Sequence, residues 1–149
     1  MWAVVQRVKQ ATVKIDDQIT GQINRGLLIY LGIAKGDQQT DVETSAKKII
    51  DLRIFPDKNG KMNLSVRDVQ GRILLVSQFT LMGDCRKGRR PSFDLSAEPD
   101  LAKRLYEQTI ADLRGQGVDI EVGVFAAHME VSSINDGPMT FLLDSQKVF

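Results

Sequence analysis

Along the N-terminal stretch, apolar and polar positions alternate at period two, the signature of strands with one buried face. Trp2 to Val8 predicts a first strand. Ala11, Val13 and Ile15, separated by Thr12 and Lys14, predict a second, half-buried one. Asp16-Asp17 reads as a turn and Gln18 to Ile23 as the returning hairpin partner. Asn24-Arg25-Gly26 turns the chain again. Leu27 to Ile33 is apolar almost throughout, as expected of a strand covered on both faces. The period then becomes helical. Thr40 and Glu43 have capping-box spacing, which predicts Thr40 as N-cap, and Val42, Ala46, Ile49 and Ile50 share one face.

Pro56 to Gly60 is a turn signal, and Met62 to Val66 predicts a short strand. Asp68 to Gly71 turns, and Ile73 to Leu81 predicts a long strand whose apolar first half gives way at Ser77 and Gln78. Gly83 to Phe93 reads as a loop. Pro99 suits the first turn of a second helix, which carries Ala102, Leu105, Tyr106, Ile110 and Leu113 and ends at Gly115 and Gly117. Val118, Ile120, Val122 and Val124 alternate as a strand. Met129 to Ile134 and Met139 to Leu143 predict two more, joined by Asn135-Asp136-Gly137-Pro138. Roughly eight or nine short strands in hairpin-like runs, with two main helices, point to an α+β fold: a mostly antiparallel or mixed β-sheet curled toward a barrel.

The chain has 149 residues, which predicts a single domain over 1–149. With 42% hydrophobic and 26% charged residues it has an ordinary globular composition. The net charge of +1 gives no strong global field, so a polyanion would have to meet a local basic patch. The lone Cys85 cannot form an internal disulfide, there is no signal-peptide pattern, and the apolar run from Leu27 to Ala34 is too short to span a bilayer. These features predict a cytoplasmic protein without a membrane association.

Candidate chemistry is sparse. His128 is the only histidine, so any Ser-His-Asp or Cys-His site would run through it. No Cys-x-x-Cys, His-x-His or His-x-x-x-His pair supports a zinc site, and no glycine-rich phosphate loop is present. The expectation is no cofactor and no metal.

Four segments stand out: Lys61-Met62-Asn63-Leu64, Ser77-Gln78-Phe79-Thr80-Leu81, Arg89-Arg90-Pro91-Ser92-Phe93, and Asn135-Asp136-Gly137-Pro138-Met139-Thr140. In this order the chain resembles the D-aminoacyl-tRNA deacylases, from Val5-Gln6-Arg7-Val8 to Phe141, including Arg53-Ile54-Phe55 and Phe125-Ala126-Ala127. The resemblance implies a compact homodimer that hydrolyses the ester between a D-amino acid and the tRNA 3′ end. It also implies removal of mischarged glycine and rejection of L-aminoacyl-tRNA.

Ser77, Gln78, Phe79 and Thr80 read in two ways. As structure, they are the end of a buried strand whose polar groups find partners. As a site, they present backbone N–H groups and hydroxyls to an ester carbonyl, where donors aimed at a developing oxyanion are often the largest catalytic term. The resemblance favours the site. Thr80 as a nucleophile would need a base, and His128 has no evident pairing with it. The resemblance implies instead that the 2′-hydroxyl of the terminal ribose assists attack by water.

On the residues alone, Gly137-Pro138 predicts a trans turn, since only ~5–6% of X–Pro bonds are cis. The resemblance implies a Gly-cis-Pro motif that enters the partner subunit's site and rejects an L side chain, with Asn135, Asp136, Met139 and Thr140 holding its shape. Met139 and Thr140 read equally as ordinary strand residues. Arg86, Lys87, Arg89 and Arg90 are either a solvated face or contacts for tRNA phosphates, and Pro91 and Phe93 could instead anchor that loop to the core. Ala102 matches a position that the resemblance places near the adenosine pocket. Two other functions remain open: the same substrate with Thr80 as covalent nucleophile, and a non-catalytic RNA-binding dimer.

Overall fold

The computed structural model describes residues 1–147. Its elements are β1 (Trp2–Ile15), β2 (Gln18–Ile23), β3 (Gly26–Gly32), α1 (Gln39–Asp51), β4 (Phe55–Pro56), β5 (Met62–Leu64), β6 (Arg72–Ser77), a 3-10 turn (Phe79–Met82), α2 (Pro99–Gly115), β7 (Ile120–Val122) and β8 (Glu130–Asp144). The main sheet runs β2-β1-β3-β6-β7, with β8 on β1. β3 pairs parallel with β6, and β6 with β7, while β1 is antiparallel to all its neighbours. This is the α+β architecture expected, a mixed sheet nearly closed into a barrel.

Closure shows at two places. A Cβ added to Gly21 on β2 would meet Leu74 Cδ1 and the Val122 carbonyl oxygen, both at 3.0 Å, so β2 lies over β6 and β7 only because that position has no side chain. Arg72 ties the same three strands: it donates to Gln22 O at 3.2 Å, to the Asp119 carboxylate at 2.6 Å and to Glu121 Oε1 at 2.8 Å.

The curl creates two cores. Ala3, Val5, Leu27, Ile29, Leu31, Ile73 and Leu75 face the helices and pack on Val42, Ala46, Ile49, Leu105 and Leu113. Val8, Ala11, Val13, Ile23, Leu28, Leu74 and Val76 fill the inside of the curl. β3 is apolar almost throughout because its alternate residues serve one core each.

Local rules decide the ends of several elements differently from the periodicity. The two predicted N-terminal strands are one 14-residue strand. Its first part pairs with β3 and its second with β2, so the change of partner looks like a break in sequence. The turn after it is as expected, with both Asp16 and Asp17 at positive φ. The N-cap of α1 is Gln38, not Thr40. The Asp41 carboxylate reaches back to accept from the Gln38 N–H at 2.9 Å, a charge-assisted bond at the positive end of the helix.

β6 ends at Ser77 and does not continue to Leu81. Its last pairing is with Leu31, and Gly32 then lets the chain fold across the sheet end. A Cβ there would lie 2.9 Å from Met82 Cε and 3.0 Å from both Gln78 O and Leu81 Cβ. Finally, the two predicted C-terminal strands are one 15-residue strand, β8. It follows β1 along its length by slipping register between Asn135 and Thr140.

Tyr106 on α2 donates to Leu75 O on β6 at 2.8 Å and packs its ring 6.0 Å from that of Phe125. Burial pushes its phenol up from the ordinary 10.0, since ionisation would put a charge in the core. The unfolded chain therefore loses this proton first. The stabilisation is complete below pH 10.0 and is lost as the pH rises beyond it. Urea titrations of Tyr106→Phe should show a loss of about 1 kcal/mol at neutral pH. Above that pH the variant should decline less steeply than the parent protein.

Candidate active site

A cleft of ≈ 510 Å³ opens where β6 ends. Ser77, Gln78 and Phe79 form one wall, Ala102 on α2 another, and Phe125 and His128 the loop before β8. Three of the four expected catalytic residues and Ala102 therefore meet in one place, although Phe79 and Ala102 lie 23 positions apart in sequence. Thr80 lies outside the lining. It is exposed on the 3-10 turn, and its hydroxyl accepts from Gln78 Nε2. His128 is the only ionisable side chain in the lining.

The 3-10 turn decides which backbone donors are free. The Gln78 N–H is committed to Leu31 O at 2.8 Å. The N–H groups of Leu81 and Gly83 are used within the turn, on Gln78 O and Thr80 O. Phe79 and Thr80 begin the turn, where helical geometry leaves the first N–H groups without an intrahelical acceptor. Within the turn, Phe79 and Thr80 thus keep their N–H groups for a ligand, whereas Gln78 does not.

Gly137 and Pro138 lie elsewhere, exposed in the register slip of β8 and outside the lining of their own chain's cleft. The peptide between them is cis, where the residues alone predicted trans. Asn135 clamps the segment. Its Oδ1 accepts from the Met139 N–H at 3.0 Å, and its Nδ2 donates to Thr140 Oγ1 at 2.9 Å. Gln6 Nε2 donates to the same hydroxyl at 3.2 Å. Gly137 sits at φ +131, and a Cβ there would lie 2.7 Å from Met139 Cγ and 3.2 Å from Arg7 Nη2.

Arg7 is the residue that sequence reasoning missed. It is buried, with Nη1 donating to Ile54 O at 2.6 Å and Nε to Asp136 O at 3.1 Å. Nε also lies 3.2 Å from the Asp136 carboxylate. A signal for it existed. On β1, Arg7 shares the inward parity of Ala3 and Val5, and an inward guanidinium must find partners.

The basic loop is pinned by an isolated bridge between Asp84 and Ser92. Arg86 grips the Asp84 carboxylate with Nε at 2.9 Å and Nη2 at 2.7 Å. These bonds hold the Asp84 carboxyl well below its usual range, at about 2. Arg86 is therefore locally neutralised. Lys87, Arg89 and Arg90 are exposed and make no ion pair among the described residues. Also among the described residues, no three His, Cys, Asp or Glu side chains converge as metal ligands, and no helix is long and apolar enough to cross a membrane.

Residues 4–144 match the family model described as D-Tyr-tRNA(Tyr) deacylase. The chain belongs to the D-aminoacyl-tRNA deacylases. It is 56% identical to the D-aminoacyl-tRNA deacylase of Thermosipho africanus and 58% identical to that of Fervidobacterium nodosum, over 100% of each chain in both cases. A solved structure titled c-Myc DNA Unwinding Element Binding Protein superposes with a TM-score of 0.92 at 40% identity, covering 97% of this chain and 98% of that one. A probable eukaryotic D-amino acid tRNA deacylase shares the fold, with a TM-score of 0.81 at 19% identity, covering 95% of this chain and 97% of that one. The activity is that of a hydrolase acting on ester bonds, with D-aminoacyl-tRNA as substrate.

Replacing Arg7 by Met should leave Ile54 O and Asp136 short of donors. Because the Asp136 side chain is 38% exposed, water recovers part of that loss. We expect about 1–3 kcal/mol of destabilisation in urea titrations, and Asn135→Ala should fall in the same range.

Proposed function

We propose that the cleft takes the terminal aminoacyl-adenosine of a tRNA and that residues 1–149 act as one deacylase domain in a cytoplasmic homodimer. The observation that carries this reading is the placement of Gly137–Pro138. The pair is exposed, clamped by Arg7 and Asn135, and outside its own chain's cleft. In a dimer it would reach the partner's cleft and complete that site.

Ser77, Gln78, Phe79 and Thr80 are the catalytic segment, the first three in the cleft wall and Thr80 beside it on the 3-10 turn. The ester carbonyl points at the N–H groups of Phe79 and Thr80, which stabilise charge as the tetrahedral species forms. Gln78 holds the turn through its bond to Leu31 O and its side-chain bond to Thr80. Ala102 leaves room for the adenosine. The attacking water is assisted by the 2′-hydroxyl of the substrate's own ribose, where proximity alone can contribute about 7–11 kcal/mol.

Gly137 and Pro138 are the chirality gate, and Asn135, Asp136, Met139 and Thr140 hold it. An L side chain meets this backbone, whereas a D side chain points away. Glycine passes because a steric filter cannot reject a smaller group. Lys87, Arg89 and Arg90 meet tRNA phosphates, with Arg86 tethered to Asp84 as the loop's brace.

Two other readings stay testable: Thr80 as covalent nucleophile, and a non-catalytic nucleic-acid-binding dimer. The second draws on the structural relative titled as a DNA-element-binding protein. Purified protein incubated with D- and L-aminoacyl-tRNA should release only the D-amino acid, and no release would sink both enzymatic readings. Thr80→Ala should keep turnover within about tenfold, since its backbone N–H survives the change. Near-complete loss of turnover with binding intact would move the chemistry to the Thr80 hydroxyl. A D-aminoacyl-tRNA ending in 2′-deoxyadenosine should be hydrolysed at least about a hundredfold more slowly.

A further inference from the structure

Two phenylalanines stand in water at the mouth of the cleft. Phe79 is 57% and Phe93 37% exposed, and their rings lie 5.0 Å apart between centroids, tilted by 59°. Phe79 belongs to the cleft wall. Phe93 belongs to the basic loop, whose ends are joined by the Asp84–Ser92 bridge. Phe93 is partly covered and partly exposed. Its ring lies against the backbone of Gly83, where a Cβ would come within 3.2 Å of Phe93 Cε1. The ring is thus held in place from below, and part of its surface faces outward.

The charge around the pair selects its occupant. Arg86 is neutralised by Asp84, which leaves Lys87, Arg89 and Arg90 exposed in the same loop. An apolar protein partner would cover the rings but leave three cations without a counter-charge. An unpaired nucleic-acid strand satisfies both, because its bases stack on aromatic rings and its phosphates meet the cations.

We propose that Phe93, together with Phe79, is a stacking platform for the unpaired nucleotide just before the terminal adenosine. Lys87, Arg89 and Arg90 take the phosphates of the same strand. The inference rests on the reading of the cleft as the seat of the terminal aminoacyl-adenosine. Stacking of this kind is tolerant of base identity, since every base has a π-face. The platform would therefore orient the strand entering the cleft without selecting among tRNAs by sequence at that step.

The test is binding of fluorescently labelled, uncharged tRNA by anisotropy, with an intact 3′ end and with its unpaired 3′ nucleotides removed. Phe93→Ala should weaken binding of the intact tRNA by roughly tenfold. Binding of the trimmed tRNA should change far less. Phe93→Trp should restore binding, and Phe93→Leu, which keeps apolar area but has no π-face, should resemble Ala. If Phe93→Ala fails to fold, the Leu and Trp variants make the same comparison. Equal weakening of both tRNAs, parent-like binding by Phe93→Leu, or a change in sedimentation mass on substitution would each overturn the platform. The last of these would assign the rings to a contact between copies of the chain. Hydrolysis of D-aminoacyl-tRNA by the parent protein is assayed separately. Absence of hydrolysis with the expected binding pattern would reject the proposed chemistry and leave the platform standing. Hydrolysis without that pattern would do the reverse.

Discussion

An inward-facing guanidinium in the middle of the longest antiparallel pair organises this protein. Arg7 enters the sheet interior at a register position that an aliphatic side chain would otherwise fill. A buried cation is tolerable only when its N–H groups are answered. Here the answers come from Ile54 O, from Asp136 O and from the Asp136 carboxylate. Those acceptors belong to the segment after α1 and to the register slip of β8. One side chain therefore links β1, that segment and the cis Gly137–Pro138 peptide.

The cleft illustrates a different economy. Its lining is apolar or neutral apart from His128, with Ser77, Gln78 and Ser96 as its other polar residues. On the proposed reading it holds an ester against the N–H dipoles of Phe79 and Thr80, an arrangement that favours the charged transition state over the neutral ground state. The turn that offers those dipoles depends on Gly32, which lets Gln78 to Met82 cross the sheet end.

Much of the fold was legible in the chain. Asp16-Asp17, Pro99 and the glycines at the end of α2 act through neighbours in sequence, and each marked its turn or helix end correctly. The errors arose where distant partners decide. β1 and β8 each read as two strands because one changes neighbours and the other slips register, and neither event has a local signature. Ser77 ends β6 because β3 ends beside it. Asp41 displaced Thr40 from the start of α1 because a carboxylate reaching back is a better cap than spacing alone suggests. Within the candidate site, Ser77, Gln78, Phe79 and Ala102 line one cleft. The neutralisation of Arg86 by Asp84 and the role of Arg7 needed three dimensions.

The sparse lining of the cleft also bears on how the site could be blocked. Inhibitors that carry an electrophile rely on a thiolate or an activated hydroxyl to bond with. Cys85 stands outside the lining, and among the described residues Ser77 makes no hydrogen bond to His128, the one ionisable side chain beside it. On the proposed reading, in which the Thr80 hydroxyl is not the nucleophile, a warhead would find no activated group in the lining. Only a molecule that mimics the shape and polarity of the ester itself has a surface to exploit, and such a molecule would bind reversibly.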